Sequence, residues 1–412
     1  MIFGPCPPED AEGCILAHRT ALPKRVLKKG RRLTGQDCAE IAAAGIDSLM
    51  VARIEPGDIG EDAAAEQLAT AAAGAGLETD TAFTGRMNLY AATNGVLVVD
   101  ADAVTAANRI DPAITFATLP NYCKVLAGRM VATAKIISFA VPEEPLGAAE
   151  SALRGAVRVA GFSPRKVGLV ATQLPHLKPS TMDKTRRVLE DRLLPSGSTI
   201  LSEHRVAHSR EAVAEALRTL KEEGADFLIL FGASAVVDRQ DVLPAGLDLA
   251  GGTVHHLGMP VDPGNLLMLG SLDGIPVLGA PGCARSPKEN GFDWVLDRLL
   301  AGLEVHPDDI TAMGVGGLLM EIGTRPQPRE GKRKGEAARI AALILGAGKS
   351  SRMGGPNKLL ATLDGKTLIR HAAEAAAGAG LSQTVLVTGH LAEEVGAQVE
   401  DLDVTLVHNP DF

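Results

Sequence analysis

The sequence predicts an α/β protein: a β-rich region over residues 1–165, a three-layer α/β domain over 166–322, a linker over 323–338, and a partial α/β domain over 339–412. Three observations carry this expectation. A chain of 412 residues is too long for one ordinary domain. From Lys166 onward, short apolar runs alternate with helical periodicity, which is the pattern of a mostly parallel sheet covered on both faces. Residues 323–338 interrupt that alternation with two prolines, many charges and no apolar period, after which it restarts.

The first region shows short apolar stretches between turns: 13–18, 25–27, 48–54, 95–99, 115–119 and 135–141. Its clearest helix is expected from Asp58. Asp58 and Glu61 have capping-box spacing, Glu61 and Asp62 put negative charge on the first turn, and residues 63–73 are almost pure helix formers. The acids Glu55, Asp58, Glu61 and Asp62 could instead bind a metal or a cationic group. Residues 84–89 read as a polar loop whose Arg86 could face a ligand or solvent.

In the second region, strands are expected at 167–172, 199–206, 227–231 and 252–257, and helices at 183–194, 209–223 and 287–301. Ser209 is placed to cap the second helix and Gly224 to end it. Residues 266–269 should pair with 276–278 across Asp273-Gly274, a type I′ turn signal. In such sheets ligands sit beyond the carboxyl ends of the strands. Four polar loops fall there: 171–181, 232–241, 260–265 and 279–288. Their convergence suggests a sizeable small-molecule site.

The third region opens with an apolar strand, 340–345, that runs into Gly346-Ala347-Gly348-Lys349-Ser350-Ser351-Arg352-Met353-Gly354-Gly355-Pro356-Asn357-Lys358. Glycines without Cβ let backbone N–H groups close on phosphate oxygens. Arg352 offers a planar fork of donors and Lys358 a mobile charge. Gly348-Lys349-Ser350 is present, but Leu343 stands where the Walker loop needs its first glycine, and the glycine spacing is wrong for a dinucleotide fingerprint. A chance match at Gly346, Gly348, Arg352, Met353, Gly354 and Lys358 together has a probability on the order of 10⁻⁷ per starting point. The stretch therefore points to a nucleoside triphosphate. A helix follows at 366–377, with strands at 383–388 and 404–407.

This run resembles the nucleotide-binding signature of the molybdenum-cofactor nucleotidyltransferases, within the sugar-phosphate nucleotidyltransferases, which implies a Rossmann-like domain. The resemblance implies transfer of a nucleotide from CTP or GTP to the phosphate of molybdopterin, with magnesium and with release of pyrophosphate. Gly346, Ala347, Gly348, Ser350 and Gly354 would hold the nucleotide, and Arg352 and Lys358 would stabilise the leaving pyrophosphate. Ala347, where guanylyl-transferring relatives usually carry glycine, and Ser350 favour CTP. The aspartate that the family uses for magnesium has no counterpart here. Residues 339–412 are about half a typical domain, so the chain reads as a truncated copy of a longer protein that does not itself catalyse nucleotide transfer.

The loops at Gly232-x-Ser234 with Asp238 and Asp241, at Asp262-Pro263-Gly264 and at Ala280-Pro281-Gly282 resemble the molybdopterin-binding domain of molybdopterin molybdotransferases and adenylyltransferases. The match spans about 166–305, and residues 1–160 look like a divergent front half of the same proteins. The sequence departs from the pattern at Gly232-Ala233-Ser234, where a double glycine is usual, and at Cys283, where an asparagine is common. By this resemblance, Ser234 and the N–H groups around Gly282 hold the pterin or its phosphate, with Gly232, Asp262, Gly264 and Pro281 around them. Asp238 or Asp241 takes a molybdate or metal role. Partners on this reading are molybdopterin, a nucleoside triphosphate, a molybdoenzyme or its chaperone, and a second copy in a homodimer. The alternatives are a sugar-phosphate nucleotidyltransferase and a non-catalytic molybdopterin carrier or sensor.

Composition sets further bounds. A net charge of −9 and 3% aromatic residues argue against a nucleic-acid surface. The five cysteines contain no CxxC pair, which argues against a disulfide framework and for a reducing compartment. There is no signal-peptide pattern and no apolar run of membrane-spanning length, so a cytoplasmic location is expected. The histidines, His204, His208, His255 and His256 among them, read as structural, with no zinc site.

Overall fold

In a computed structural model the described residues are 1–175, 179–320, 341–348, 357–379 and 381–411. The architecture is mixed α/β, as the sequence predicts. Two compact units divide the chain, 1–321 and 322–412. No helix among the described residues is long and apolar enough to cross a membrane.

The first unit begins with a small sheet in which Ile2–Cys6 pairs with Leu49–Arg53. Cys6, Cys14 and Cys38 lie in its core as small apolar groups beside Leu16 and Ile41. Asp37, fully buried, anchors this layer. It forms a capping box with Thr34 and accepts hydrogen bonds from Arg25 at 2.6 Å and Arg31 at 3.0 Å. Burial alone would raise its carboxyl, but the bonds from Arg31 and Thr34 hold it well below the usual carboxylate range.

Residues 58–161 form a β-rich layer. Arg86–Ala91 pairs with Met130–Ile136 and Leu77–Thr79, while Gly95–Val99 pairs with Val157–Gly161. Helices Glu61–Ala72, Ala101–Ile110 and Glu143–Leu153 cover these sheets through Leu68, Ala107 and Leu146.

Three sequence expectations change here. Residues 84–89 are not a loop: Thr84-Gly85 is a turn with positive φ at both residues, and Arg86, exposed, starts a strand. The expected strand 135–141 breaks after Ile136 and resumes at Ala140. The capping box at Asp58 does not form, because Asp58–Gly60 pairs with Ala140–Pro142 and the helix starts at Glu61 behind Gly60. Asp58 instead accepts the Glu55 N–H at 2.7 Å and pairs with the Met1 ammonium at 2.7 Å. Asp62 accepts the Gly85 N–H at 2.6 Å.

From Lys166 the chain builds a six-stranded sheet. Its elements are β1 (Lys166–Gln173), α1 (Pro179–Leu193), β2 (Thr199–Ala207), α2 (Arg210–Glu222), β3 (Phe227–Phe231), α3 (Val242–Ala250), β4 (Thr253–Leu257), β5 (Met268–Leu272), β6 (Ile275–Ala280) and α4 (Gly291–Leu300). The order is β2-β1-β3-β6-β5-β4, with β2, β1, β3 and β6 parallel and β5 antiparallel to both neighbours. The β5–β6 turn has Asp273 at φ 48° and Gly274 at φ 83°, as type I′ requires. Helices α1 and α4 cover one face through Leu189, Leu193, Phe292 and Val295. Helices α2 and α3 cover the other through Val213, Leu217, Leu243 and Leu247. Helix α4 starts later than position 287 because Asn290 and Asp293 form a capping box.

The β-rich layer meets this sheet domain through Lys124, whose Nζ lies 2.8 Å from Asp297 on α4. Burial pushes the Asp297 carboxyl up to about 6, against the pull of Lys124. An acid whose pKa is raised on folding holds an extra proton in the native state between the unfolded and folded pKa values. Stability from this group therefore rises as pH falls from 7 through about 6 towards 4, by at most ~1.4 kcal/mol per pH unit. Urea midpoints at pH 7 and pH 5 should differ less in Asp297→Asn than in the wild type; an unchanged difference would assign the slope to other groups.

The second unit holds a parallel sheet of β7 (Ala341–Gly346), β8 (Gln383–Thr388) and β9 (Thr405–His408), with β8 central. Helices α5 (Leu368–Gly378) and α6 (Ala392–Ala397) bury Ile369, Ala373 and Val395 against Leu386. Leu343 and Leu345, on the opposite face of β7, are exposed. The expected linker 323–338 lies outside the described residues.

Candidate functional site

Two loop systems carry the candidate residues, one in each unit. In the first unit, the loop after β3 holds Gly232 and Ser234, and the loop after β6 holds Pro281 and Gly282. Arg285 joins them: its Nη2–H donates to the Gly232 carbonyl at 2.9 Å, and its Nη1–H to Thr185 Oγ1 on α1 at 2.7 Å. The guanidinium stacks on Phe231, 5.3 Å from the ring centroid. Burial lowers its pKa, and no carboxylate among the described residues pairs with it. An arginine held this way keeps its charge and retains donors for an anion.

Ser234 is positioned by a relay. His208 lies between Thr172 and Ser234, at 2.8 Å from each hydroxyl through Nδ1 and Nε2 respectively. Thr172 is buried and also accepts the Ala233 N–H at 2.7 Å. The imidazole thus fixes where the Ser234 hydroxyl sits, and Ser234 itself is exposed to an incoming ligand.

The other sequence candidates separate by what holds them. Asp241 caps α3: one carboxylate oxygen accepts the Val242 N–H and the other the Val237 N–H. Asp238 is an exposed residue, and its Oδ1 accepts the Gln240 N–H. Gly264, at φ 146°, lies so close to Gly291 that a Cβ would come within 2.7 Å of its N, so packing requires glycine there. Asp262 joins Gly264 in a loop tied by backbone bonds to residues 317–319. Around Gly282 the space for a side chain is open.

His208, Thr172 and Arg285 are the residues that sequence reasoning did not single out. His208 sits after an exposed strand end and Thr172 at the end of a buried one, and only the parallel pairing of β1 with β2 brings them together. His204, four positions earlier, pairs with Glu223 at 3.2 Å, so the two histidines do not converge.

In the second unit, Gly346 ends β7 against β8, where a Cβ would meet Leu386 at 2.9 Å; Gly348 has open space. The Ala347 carbonyl accepts the His390 N–H from the loop after β8. Lys358 opens a short 3-10 turn whose first free N–H, that of Leu359, is taken by Asn357 Oδ1 at 3.0 Å. Ser350, Arg352 and Gly354 lie outside the described residues, as do Lys349 and Met353. Among the described residues no three His, Cys, Asp or Glu side chains converge as a metal site, so no magnesium ligand is assigned.

Comparison with known proteins separates the two units. Residues 342–412 match the family described as MobA-like NTP transferase domain, and residues 5–53 match a domain of unknown function (DUF8806). The chain is 46% identical over 69 residues to Bifunctional protein GlmU of Francisella philomiragia, covering 16% of this chain and 15% of that protein. It is 34% identical over 84 residues to CMP-5'-(3-aminopropyl)phosphonate synthase of Streptomyces rubellomurinus, covering 18% and 13%. The chain thus spans about a seventh of the length of these relatives.

Among solved structures it is similar to a nucleotidyl transferase from Methanothermobacter, with TM-score 0.16, 33% identity, and coverage of 18% of this chain and 38% of that one. It is also similar to a molybdopterin biosynthesis moea protein from Pyrococcus horikosii, with TM-score 0.26, 14% identity, and coverage of 73% and 75%. TM-scores this low carry no fold assignment. The family match rests on sequence, in the segment where the glycine loop leaves β7, and on it the chain carries a MobA-like NTP transferase domain over residues 342–412.

Proposed function

We propose that this protein acts in molybdenum-cofactor biosynthesis. Residues 1–165 and 166–322 form a molybdotransferase-like region that binds molybdopterin, 323–338 link it to the rest, and 339–412 bind the nucleoside triphosphate. The observation that carries the nucleotide half is the NTP transferase family match over the glycine loop. The pterin half is supported by the sheet-edge loops, where Ser234 presents its hydroxyl and Arg285 holds an unpaired charge beside the open space at Gly282. Asp238 is the better candidate for the molybdate role, because both carboxylate oxygens of Asp241 hold its own loop and helix.

In this reading, in the full-length protein, a molybdopterin phosphate oxygen attacks the α-phosphorus of the triphosphate in line, and pyrophosphate leaves. The backbone at Gly346 and Gly348 with Arg352 and Lys358 offset the charge on the leaving group, so the chain mainly positions and neutralises. Magnesium would supply further charge neutralisation when bound. CTP is preferred to GTP because of Ala347, and the similarity to a relative named as a CMP-phosphonate synthase supports a cytidylyl donor. Carrying both sites on one chain raises the effective concentration of one substrate for the other.

Titration of molybdopterin into the full chain, read by calorimetry, tests the pterin half. Saturable binding is expected, and Arg285→Met should weaken it by roughly 10- to 100-fold, the worth of a charged hydrogen bond. Ser234→Ala should weaken it by less. Absence of binding by folded protein would remove the pterin half and favour a sugar-phosphate nucleotidyltransferase. Binding at one equivalent without turnover of any nucleotide by the full-length protein would favour a carrier.

A further inference from the structure

Three neighbouring parallel strands of the six-stranded sheet, in the order β2-β1-β3, each deliver one polar residue to the same edge. Thr172 stands near the end of β1, His208 directly follows β2, and Ser234 lies in the loop that leaves β3. They form a continuous chain. Ser234 Oγ lies 2.8 Å from His208 Nε2, and His208 Nδ1 lies 2.8 Å from Thr172 Oγ1.

Each member is held in place. The His208 N–H donates to the Gln173 carbonyl at 3.0 Å, which carries the β1–β2 pairing one residue further, and the next residue, Ser209, caps α2. Thr172 is 1% exposed, and its bond from the Ala233 N–H ties it to the residue before Ser234. Gly232 allows the turn that presents the serine, because a Cβ there would come within 2.7 Å of the Ser234 carbonyl oxygen. Ser234 itself is exposed. The chain thus runs from a buried, fixed end to an open one. Arg285 holds the same loop through the Gly232 carbonyl and carries a charge without a carboxylate partner among the described residues.

A serine hydroxyl alone is a weak nucleophile. A hydrogen-bonded base, itself oriented by a third group, is what activates it. Thr172 Oγ1 has two lone pairs, enough for the Ala233 N–H and a His208 Nδ1–H together. That placement of the ring proton leaves Nε2 to take the proton of Ser234.

We propose that Ser234 is a nucleophile, with His208 as its base and Thr172 orienting the base, and that this sheet edge hydrolyses activated acyl esters and thioesters. Ser234 Oγ bonds to the acyl carbon while its proton passes to His208 Nε2. The bond from the acyl carbon to the leaving oxygen or sulfur breaks, and that atom takes the proton from Nε2. Water then attacks the acyl carbon and gives a proton to Nε2. Ser234 Oγ leaves with that proton, and the carboxylic acid is released. Arg285 supplies positive charge near the oxyanion of each step. A threonine orients the imidazole without the negative charge by which a carboxylate stabilises imidazolium, so good leaving groups are favoured over amides. The activity needs only this chain of residues and does not rest on the pterin reading of the loops.

The full chain is treated with a fluorophosphonate, from which an activated serine displaces fluoride, and adducts are mapped by peptide mass. An adduct on Ser234 is expected, forming about 100-fold or more slowly in His208→Gln, the lower end of what a positioned base contributes. Hydrolysis of 4-nitrophenyl acetate is expected, and Ser234→Ala should remove it. The ¹⁵N shifts of the His208 ring, assigned by its loss in His208→Gln, should place the ring proton on Nδ1. Folded wild-type protein without an adduct on Ser234 would overturn the proposal. So would equal labelling rates in wild type and folded His208→Gln, or a ring proton on Nε2, which would make Ser234 the acceptor of that bond. Molybdopterin is absent from every arm, so the outcome is separate from that of the pterin titration.

Discussion

Arg192→Met is expected to destabilise the protein by roughly 3–5 kcal/mol, the range seen when one partner of a buried ion pair is removed. Arg192 is only 8% exposed and ties three elements together. From α1 its Nε–H donates to Asp293 at the start of α4 at 2.6 Å, its Nη1–H to the Ala284 carbonyl at 2.8 Å and its Nη2–H to the Ser286 carbonyl at 2.7 Å. The cation also lies over the Phe292 ring. Methionine fills much of the volume but leaves two carbonyls and a carboxylate without their donor. Asp293 keeps the Asn290 N–H of its capping box, which limits the loss. Urea unfolding read by far-UV circular dichroism measures the effect. A shift below about 1 kcal/mol, the size of an exposed pair, would show that the network is solvated in practice. Because Ala284 and Ser286 flank Arg285, the variant should also weaken pterin binding in whatever fraction remains folded.

Arg352→Ala is expected to lower nucleotide transfer by the full-length protein about 100- to 1000-fold, the usual effect of removing one donor that stabilises transition-state charge. It should leave molybdopterin binding unchanged. The expectation rests on the offset of Arg352 from Gly346 and Gly348 in the glycine run and on the NTP transferase match. Pyrophosphate release from CTP or GTP in the presence of molybdopterin measures the first quantity, and calorimetric titration of molybdopterin the second. Loss of both would argue against separable sites. Full transfer activity in the variant would mean that another cation takes the charge.

Much of the architecture was legible from the sequence because it rests on local rules. The Asp273-Gly274 turn, the Ser209 cap and the buried run 227–231 depend on a few adjacent residues, and all three are present. Alternation of strand and helix was enough to place four candidate loops at one sheet edge. The glycine run identified the NTP domain, because phosphate binding needs glycines and cations at set offsets along one short stretch.

What the sequence could not decide depends on strand pairing. Asp58 has capping spacing, but pairing of its segment with Ala140–Pro142 draws it into a sheet, and helix formation gives way to a ladder that the local sequence does not encode. Residues 84–89 look polar, yet alternate side chains of Arg86–Ala91 are buried once Met130–Ile136 lies beside them. The relay from Thr172 through His208 to Ser234 joins residues 36 and 26 positions apart, and Arg285 reaches Gly232 across 53. Each of these groups is chemically ordinary alone. Its partners, open donors and direction are set by neighbours that only the folded chain supplies, so the sequence by itself determined the chemistry available and the tertiary structure decided which groups meet.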